Sequence, residues 1–321
     1  MRVVHICKSF YPQIGGEAKY IFQLAKKQVE LGLDVSVITR GDKEFEIKDG
    51  IKIYRVKVSK KPIFRFLKSV TLMKRKIKET EADIYHAHDW NNSLICKLAK
   101  KKFITTVHGY GFLDEFKLTR RIVSFILSKA EKLAVNHKFL MKKYEKYNPI
   151  YICAGIDLKE YPYKKIKKNN TFLVVSHLYP PRRVGTYIEG FKILNNEMRM
   201  LIAGDGVERK ELEELAKGYN IKFLGFRKDI PNLMSNSMIV CGGGLTAMES
   251  MSTGRPCIVA KGQDTEVIPD SMIINTSQEF VDKSKFILNN LNKLSIEAHS
   301  FAKKEYDIKS VALKYLEVYK K

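Results

Sequence analysis

Short apolar runs alternate along the chain with longer segments of helical period. In the first half, a run RVVHIC precedes a loop and a helix predicted over 17–31, with Ile21, Leu24, Ala25 and Val29 on one face. Further β-like runs follow as DVSVITR, ADIYHAH, KFITTVH and EKLAVN, separated by helical stretches. This alternation predicts βαβ units in a mostly parallel sheet with helices on both faces.

A second series of the same kind begins after residue 170. Its predicted strands are TFLVVSHL, MRMLIAG, IKFLGF, SMIVC and RPCIVAK, and its helices are YIEGFKIL, ERKELEELAKGY and LTAMESMS. Between the two series lies YICAGIDLKEYPYKKIKKNN, rich in turn formers and lysines, which we interpret as an interdomain linker. The pattern predicts two doubly wound domains with a crevice between them, and ligand sites at the strand-to-helix loops.

Composition agrees with this architecture. The chain has 321 residues, of which 45% are hydrophobic, enough for two domains that each bury a core. It contains neither an apolar run long enough to span a membrane nor the succession typical of a signal peptide. The five cysteines are scattered, which favours a reduced, cytoplasmic setting. They are Cys7, Cys96, Cys153, Cys241 and Cys257.

The net charge of +23 is concentrated in the N-terminal half. Residues 1–150 hold 32 Lys and Arg against 15 Asp and Glu, and the segment Lys57–Lys78 holds nine of these basic residues among Phe64, Phe66, Leu67, Leu72 and Met73. Such a segment suits an anionic membrane surface or a phosphorylated acceptor, and equally a solvated helix face. Nucleic acid is disfavoured because no nucleic-acid-binding motif accompanies the charge.

Four strand-to-helix loops are candidates for ligand binding. Three contain glycines, namely Gly15 and Gly16, Gly204 and Gly206, and Gly242 to Gly244; the fourth is SHLYPPRRVG. Glycines before a helix let a phosphate approach free amides at the positive end of the helix dipole, although tight turns alone also require glycine. No loop matches a dinucleotide fingerprint or a P-loop. Recurrence at one topological position favours the ligand interpretation.

Charged side chains near these loops leave alternatives open. His177, Arg182 and Arg183 suit a clamp on a diphosphate, or a solvated loop. Thr246 and Glu249 have the spacing of a helix capping box, while a carboxylate there also suits a ribose diol.

The pair His86 and His88 raises the question of a metal site. Alternate residues on a strand point the same way, and His108 is the nearest further candidate ligand. Because no second ligand cluster accompanies them, we expect a structural pair lining the crevice rather than a metal site.

Taken in order, these segments resemble the family 4 glycosyltransferases, which are nucleotide-sugar-dependent, retaining enzymes with the GT-B fold. The resemblance covers nearly the whole chain and rests on an ordered set of motifs. They are the opening 40 residues, DIYHAHDW, TTVHGYGF, ICAGIDLKEY, FLVVSHLYPPRRVGTYIEGF, LIAGDGVERKELEELA, IKFLGFRKDIPNLM, GGGLTAMESMSTGRPCIVA and YDIKSVALKYLEVYKK.

The resemblance implies an α/β protein with two Rossmann-like domains facing across a crevice. Residues 1–163 would bind the acceptor and residues 164–305 the nucleotide sugar, with a helix at 306–321 packing back on the first domain. Gly15 and Gly16 would face the donor diphosphate, and His108 would hydrogen-bond the transferred sugar. The donor nucleotide would be held by the residues that match the family's C-terminal motifs. These are His177 and Arg182 on the diphosphate, Gly204, Gly206 and Phe226 at the base, Gly243, Gly244, Leu245 and Thr246 at phosphate, and Glu249 at the ribose.

Three positions depart from the family pattern. His177 stands where the family usually has Arg, and Arg182 where it has Lys. Cys241 stands where the family usually has the first Glu of its Glu-x7-Glu motif, which addresses the donor sugar. A thiol does not replace a carboxylate acceptor, so this departure bears on the sugar rather than on the nucleotide.

The expected activity is transfer of a hexose from a nucleotide diphosphate sugar to a lipid-linked or polysaccharide acceptor. The implied enzyme needs no metal or other cofactor, since Arg182, His177 and helix amides would stabilise the leaving diphosphate. It would act in the cytoplasm, on the inner membrane face where the acceptor is lipid-linked. The alternatives are a degenerate GT-B protein that binds a glycan or protein partner, and a sugar-nucleotide epimerase.

Overall fold

The computed structural model describes residues 1–13, 15–57, 62–109, 117–167, 169–194, 197–262, 268–269 and 272–320, with the backbone alone at 62–67 and 117–119. The chain forms two compact units, the first made of residues 1–154 with 308–321 and the second of residues 155–307. The division falls nine residues before the expected boundary at 163/164. The reason is packing, because Tyr161 is buried in the second unit's core against Leu173, Ala203 and Met234.

The first unit is built on an eight-stranded sheet in the order β3-β4-β2-β1-β5-β6-β7-β8. All neighbours are parallel except the β3–β4 pair, an edge hairpin that the sequence pattern did not predict. The strands are β1 (Arg2–Ile6), β2 (Asp34–Arg40), β3 (Phe45–Lys48), β4 (Ile51–Val56), β5 (Ile84–His88), β6 (Ile104–Val107), β7 (Lys132–Val135) and β8 (Ile150–Tyr151). The helices between them are α1 (Gly16–Glu30), α2 (Pro62–Glu79), α3 (Asp89–Leu98), α4 (Lys117–Leu127) and α5 (Lys138–Lys143).

The second unit has a six-stranded parallel sheet in the order β11-β10-β9-β12-β13-β14. Its strands are β9 (Thr171–Val175), β10 (Arg199–Ala203), β11 (Ile221–Gly225), β12 (Ile239–Cys241), β13 (Cys257–Ala260) and β14 (Ile273–Ile274). Its helices are α6 (Val184–Leu194), α7 (Arg209–Leu215), α8 (Ile230–Ser235), α9 (Leu245–Ser252), α10 (Ser277–Asn289) and α11 (Leu291–Glu305). Strands such as TFLVV are apolar on both faces because helices cover both sides of a parallel sheet.

The last helix, α12 (Ile308–Lys320), returns to the first unit and packs on α1. Its buried side includes Val311, Tyr315 and Tyr319. On the opposite face of the first sheet, a separate apolar core joins Val4 and Tyr85 to side chains of α2 and α3.

Each sheet has a point where the strand order changes direction. In the first unit the chain proceeds from β1 outward through β2, then returns to place β5 on the other side of β1. In the second unit β9 is flanked in the same way by β10 and β12. Because ligands of doubly wound sheets bind beyond the strand ends at such switch points, the loops after β1, β5, β9 and β12 are the first places to seek a site.

Among the helices of the described residues, none is both long and apolar enough to cross a lipid bilayer.

Candidate active site

The switch point of the first unit is formed by the Gly15–Gly16 turn and the start of α1. Gly15 is the N-cap residue, and no heavy atom of the described chain lies within 4 Å of where its Cβ would be. This open space leaves room for a ligand beside the first turn. Glu17 lies in that turn, and burial, with a smaller contribution from the charge of Asp89, raises its pKa to about 7. The sequence pattern does not single out Glu17.

His108 follows β6 at the same edge of the sheet. Its backbone N–H donates to Asp89 Oδ1 at 3.0 Å, which ties the loop to the first residue of α3. Its ring is half-buried, with Nδ1 2.8 Å from Asn136 Nδ2 and Nε2 2.7 Å from His88 Nδ1. Burial lowers its pKa to about 3, so the ring is neutral at physiological pH. Tyr110 to Phe112, which continue this predicted loop, lie outside the described residues.

The expectation that His86 and His88 line a crevice is wrong. Both side chains are fully buried on the face of the sheet opposite to Tyr85 and Ala87, because alternate strand residues point to the same side. His5 on β1 joins them, and among the described residues the three histidines form a group whose potential ligand nitrogens lie within 4.8 Å of one another. The sequence pattern does not indicate His5, since only the β1–β5 register brings it beside His86.

In the second unit, glycines let neighbouring loop backbones pack closely. A Cβ on Gly204 would lie 1.8 Å from the Ser176 carbonyl oxygen, and one on Gly206 would lie 2.2 Å from that of Leu178. The two loops are also joined by a hydrogen bond from the Leu178 N–H to the Asp205 carbonyl at 3.0 Å. Close packing of protein backbone therefore accounts for these two glycines, whatever they contact in a complex. Phe226, predicted to border the base, is exposed.

The loop after β12 leads directly into α9. Gly242 allows the close approach of Val175, whose carbonyl oxygen lies 2.5 Å from the position of a Cβ there. Gly244, in a left-handed conformation at φ 61°, is the N-cap of α9. The proposed capping box is therefore wrong, since Thr246 lies inside the first turn and its hydroxyl donates to Val175 O at 3.4 Å. The N–H groups of Leu245 and Thr246 lie in the first helical turn, so they have no hydrogen-bond acceptor within the helix.

Glu249 lies one turn further along α9 and is almost fully buried. It accepts a hydrogen bond from the Tyr161 hydroxyl, and burial together with the charge of Glu249 raises the pKa of that tyrosine. A carboxylate has two oxygens and about four acceptor positions, so Tyr161 leaves capacity for a further donor.

The three basic residues after β9 have different surroundings. His177 is exposed and Arg182 is half-buried at the end of a short 3-10 turn. Arg183 is not available as a diphosphate clamp, because its guanidinium donates to the backbone carbonyls of Lys261 at 3.1 Å and Asn275 at 2.6 Å. Arg183 thus fastens the β9 loop to the strands on the far side of β12.

Cys241 is the last residue of β12, and its side chain is fully buried in the apolar core of the second unit. Burial raises the pKa of the Cys241 thiol well above its usual value. The sequence-based assignment of Cys241 to the donor-sugar position is therefore not supported, because the side chain points into the core rather than into a loop.

The basic segment Lys57–Lys78 only partly forms an exposed face. Residues 58–61 and the side chains of 62–67, including Phe64 and Phe66, lie outside the described residues. Met73 is fully buried and Leu72 is half-buried against the same core, so these two residues do not form an exposed apolar face.

A more exposed apolar surface occurs on α3 and α4, which the sequence analysis did not identify. Leu98, Ile122 and Phe125 are 42%, 47% and 53% exposed. The Phe125 ring lies under two ammonium groups, Lys97 Nζ at 3.8 Å and Lys129 Nζ at 5.3 Å from its centroid. We call these residues, with Arg120 and Arg121, the α4 surface.

The fold and the loops define an α/β protein of the GT-B class. Matches to models of sequence families identify the family within that class. The Glycosyltransferase Family 4 model matches residues 14–160, and the Glycosyl transferases group 1 model matches residues 157–294. The chain therefore belongs to the family 4 glycosyltransferases.

Similar proteins agree with this family. N-acetyl-alpha-D-glucosaminyl L-malate synthase of Bacillus anthracis is 23% identical over 290 residues, with 77% of this chain and 76% of that protein covered. The Escherichia coli UDP-Gal:alpha-D-GlcNAc-diphosphoundecaprenol alpha-1,3-galactosyltransferase is 25% identical over 242 residues, or 62% of each chain.

Solved structures share the fold over the whole chain. Anabaena HepE, crystallised with UDP, has a TM-score of 0.79 at 17% identity, with 99% of both chains covered. Sucrose-phosphate synthase from Thermosynechococcus elongatus has a TM-score of 0.82 at 15% identity, with 99% of this chain and 98% of that one covered.

Proposed function

We propose that this glycosyltransferase moves a hexose-type sugar, with retention of anomeric configuration, from a uridine diphosphate sugar to a lipid-linked acceptor. The observation that carries the nucleotide part is the switch point of the second unit, where the glycine-capped start of α9 is followed by the buried Glu249. HepE has been crystallised with UDP and with UDP-glucose, which supports the choice of base. The Escherichia coli relative acts on a diphosphoundecaprenol-linked sugar, which supports the acceptor class.

The nucleotide is held by backbone and carboxylate in this proposal. The amides of Leu245 and Thr246, at the positive end of the α9 dipole, bind a phosphate. One oxygen of Glu249 accepts from Tyr161 and the other accepts from the ribose hydroxyls. Gly15 and Gly16 face the diphosphate, and Gly204, Gly206 and Phe226 border the base.

Charge stabilisation accounts for the chemistry. As the sugar becomes oxocarbenium-like, negative charge builds on the departing diphosphate, and Arg182, His177 and the α9 amides stabilise it. His108 hydrogen-bonds the transferred sugar. This mechanism requires neither a metal ion nor an enzyme side chain that attacks the sugar as a covalent nucleophile.

A donor panel tests the proposal. The full-length protein is incubated with UDP-, GDP- and CDP-sugars, and released nucleotide and the anomeric configuration of the product are measured. Hydrolysis or transfer with UDP-sugars and retention supports the proposal. Reversible change of the sugar alone indicates an epimerase, and no binding of any donor indicates a degenerate, partner-binding protein.

The role of Arg182 has its own test. Arg182→Ala should lower turnover by about 100-fold if the guanidinium stabilises the leaving group. Arg2→Ala is the control. Arg2 is the first residue of β1 and pairs with Glu81, at the end of the sheet opposite to the strand-to-helix loops. Equal turnover in the two variants would remove Arg182 from the mechanism.

The α4 surface supports a membrane-associated acceptor. Exposed Ile122 and Phe125 between basic residues have the character of an interfacial surface that inserts apolar side chains and attracts anionic lipid headgroups.

The double variant Ile122→Ser with Phe125→Ser should reduce sedimentation of the protein with phosphatidylglycerol vesicles. Phe286→Ser, at an equally exposed phenylalanine in the second unit, is the control. Vesicle binding that is unaffected by the double change, or that does not depend on anionic lipid, rejects this surface.

A further inference from the structure

One face of the first sheet is polar although it is buried. Val4 and Ile6 on β1 contribute to the apolar core on one side, whereas His5, His86 and Thr106 on the other side are fully buried beneath helices. Aliphatic side chains would fill such a layer without needing partners, and buried polar groups are costly unless they are hydrogen-bonded. The polar layer therefore needs an explanation in terms of its hydrogen bonds.

A continuous series of hydrogen bonds runs through this layer, and we call it the histidine chain. It begins at Asn136, whose Nδ2 lies 2.8 Å from His108 Nδ1. His108 Nε2 lies 2.7 Å from His88 Nδ1, and His88 Nε2 lies 3.0 Å from His5 Nδ1. His5 Nε2 lies 2.7 Å from Gln28 Oε1 on α1.

The histidine chain continues to the last helix. Gln28 Nε2 donates to the Tyr319 hydroxyl at 3.1 Å, and that hydroxyl lies 2.7 Å from His86 Nδ1. His86 Nε2 lies 2.7 Å from the Thr106 hydroxyl, which in turn lies 2.9 Å from the hydroxyl of Tyr315. Residues far apart in sequence, on β1, β5, α1 and α12, are thus connected to the half-buried ring of His108.

The two amides give the histidine chain one direction. Asn136 is placed with Nδ2 toward the ring, so His108 Nδ1 accepts, while the Oδ1 of the same amide is buried and has no hydrogen-bond partner among the described residues. A neutral imidazole has one donor and one acceptor nitrogen, so His108 Nε2 carries the proton and donates to His88. The same step repeats from His88 to His5, and Gln28 Oε1 receives the last proton. Every contact is then satisfied with neutral rings that carry their protons on Nε2.

Burial keeps these rings neutral. Loss of hydration lowers the pKa of His5 to about 4 and that of His108 to about 3, and it lowers the pKa values of His86 and His88 well below the usual value. Each ring therefore holds a single proton, and its place is determined by its partners rather than by pH.

A metal ion would use the same nitrogens in a different way. The cluster of His5, His86 and His88 is close enough for one cation. However, a metal takes the lone pair of a ring nitrogen, and here each ring has one nitrogen that donates a proton and one whose lone pair accepts. Hydrogen bonding thus accounts for all six nitrogens of the cluster.

We propose that His88, His5 and Gln28 are positioning residues that hold His108 as the Nε2-protonated tautomer, so that Nδ1 presents a lone pair to a substrate hydroxyl. This inference rests on the proposed contact between His108 and the sugar. A hydroxyl both donates and accepts, so it can enter between Asn136 Nδ2 and His108 Nδ1 and keep both bonds. A phosphate or carboxylate oxygen can only accept, so it would face the lone pair of His108 Nδ1 without forming a hydrogen bond. The histidine chain therefore selects a hydroxyl over an anionic group at this point.

Nuclear magnetic resonance of the full-length protein labelled with ¹⁵N-histidine tests the tautomers directly. Two-bond ¹H–¹⁵N correlations distinguish protonated from unprotonated ring nitrogens, and we expect Nε2 to be protonated in His5, His88 and His108. A proton on Nδ1 of His108 overturns the proposal, and this measurement needs no variant.

A substitution at the far end of the histidine chain tests positioning. Gln28→Met removes the terminal acceptor, and we expect mixed tautomers at His108 and a transfer rate lowered about five-fold, the factor that one neutral hydrogen bond supplies. UDP affinity should change little, because the side chains proposed to hold the nucleotide lie in the other unit and the Gly15–Gly16 turn contributes no side chain to the histidine chain. Gln23→Met, on the same helix at a similarly buried position outside the histidine chain, is the control. Tautomers and rate unchanged in Gln28→Met would overturn the proposal.

Two further results separate this proposal from the proposed function. Stoichiometric zinc or nickel that is present in the purified protein and is lost in His5→Gln would overturn the histidine chain, without contradicting the proposed glycosyl transfer. Transfer at the wild-type rate in His108→Ala overturns positioning even where the tautomers are as expected. Absence of any donor turnover in the wild-type protein instead rejects the proposed function.

Discussion

The backbone N–H of His108 donates to Asp89 Oδ1 at 3.0 Å, across the ends of two neighbouring strands. Asp89 itself has a left-handed backbone at φ 65°, a conformation that Asp and Asn adopt more readily than other non-glycine residues. One residue thus shapes the start of α3 and holds the loop that carries His108.

Replacement of Asp89 should test these two roles together. Asp89→Leu removes the acceptor and places a larger side chain in the left-handed region, so we expect the free energy of unfolding to fall by about 3 kcal/mol. Asp89→Asn keeps an acceptor oxygen and the tolerated conformation, and should cost less than about 1 kcal/mol. Urea denaturation measures both values. Equal losses in the two variants would contradict the role of the side-chain acceptor.

The pattern of apolar residues was sufficient to predict the fold, because each strand or helix is indicated by residues that are close together in the sequence. Runs such as RVVHIC and TFLVV report burial on both faces of a strand, and their alternation with helices led to two doubly wound units. The hairpin of β3 and β4 was missed because Phe45 and Ile47 are exposed, which weakens the apolar signal.

Functional neighbours were harder to predict because they come from different strands. Glu17 and Asp89 interact across the β1–β5 switch point, and nothing in their spacing indicates this. Side-chain direction was a second obstacle, since Cys241 ends a strand, and an alignment of motifs does not show which way that side chain points.

The raised pKa of Glu17 predicts a stability that depends on pH. The carboxyl has a pKa of about 7 in the folded protein against 4.5 in the unfolded chain, so the folded state binds the proton more tightly. Stability therefore falls as pH rises from about 4.5 to about 7, by up to about 3 kcal/mol. Glu17→Gln should raise the free energy of unfolding by that order at pH 8 and leave it unchanged at pH 4.

Denaturation at both pH values provides the measurement. Glu79→Gln is the control, because Arg75 and Lys76 lower the pKa of Glu79 and the substitution there should not stabilise the protein. A stabilisation by Glu17→Gln that persists at pH 4 would show that the effect does not come from the carboxyl charge.

The buried histidines predict acid sensitivity of the first unit. His5 has a pKa of about 4 when folded and 6.5 when unfolded, and those of His86 and His88 are also lowered by burial. Above pH 6.5 both states are neutral and stability is constant. Below it the unfolded chain takes up protons that the folded protein does not, so each ring removes about 1.4 kcal/mol per pH unit until its folded pKa is reached.

Removal of one ring should reduce that slope. We expect His86→Gln to lose stability at neutral pH, because its partners Tyr319 and Thr106 are disturbed. Between pH 6 and pH 4.5, however, its free energy of unfolding should decline less steeply than that of the wild type, by about 1.4 kcal/mol per pH unit. Parallel curves for the two proteins would mean that His86 is already protonated in the folded state.

Cys241 offers the sharpest test of motif alignment against structure. Alignment with the family suggests that Cys241→Glu would restore a sugar-binding carboxylate. The buried position of Cys241 predicts the opposite, because a glutamate in the apolar core would have to remain protonated, which costs about 4 kcal/mol at neutral pH.

Cys241→Ala should therefore keep donor turnover close to that of the wild type, with a loss of stability of about 1 kcal/mol for the small cavity. Cys241→Glu should unfold at a much lower temperature and turn over no more donor than the wild type. Cys257→Ala, at a second buried cysteine on the neighbouring strand, is the control for cavity formation. A Cys241→Glu protein that folds normally and transfers sugar faster would mean that side chain 241 reaches the donor, because a carboxylate is tolerated there only if it leaves the core.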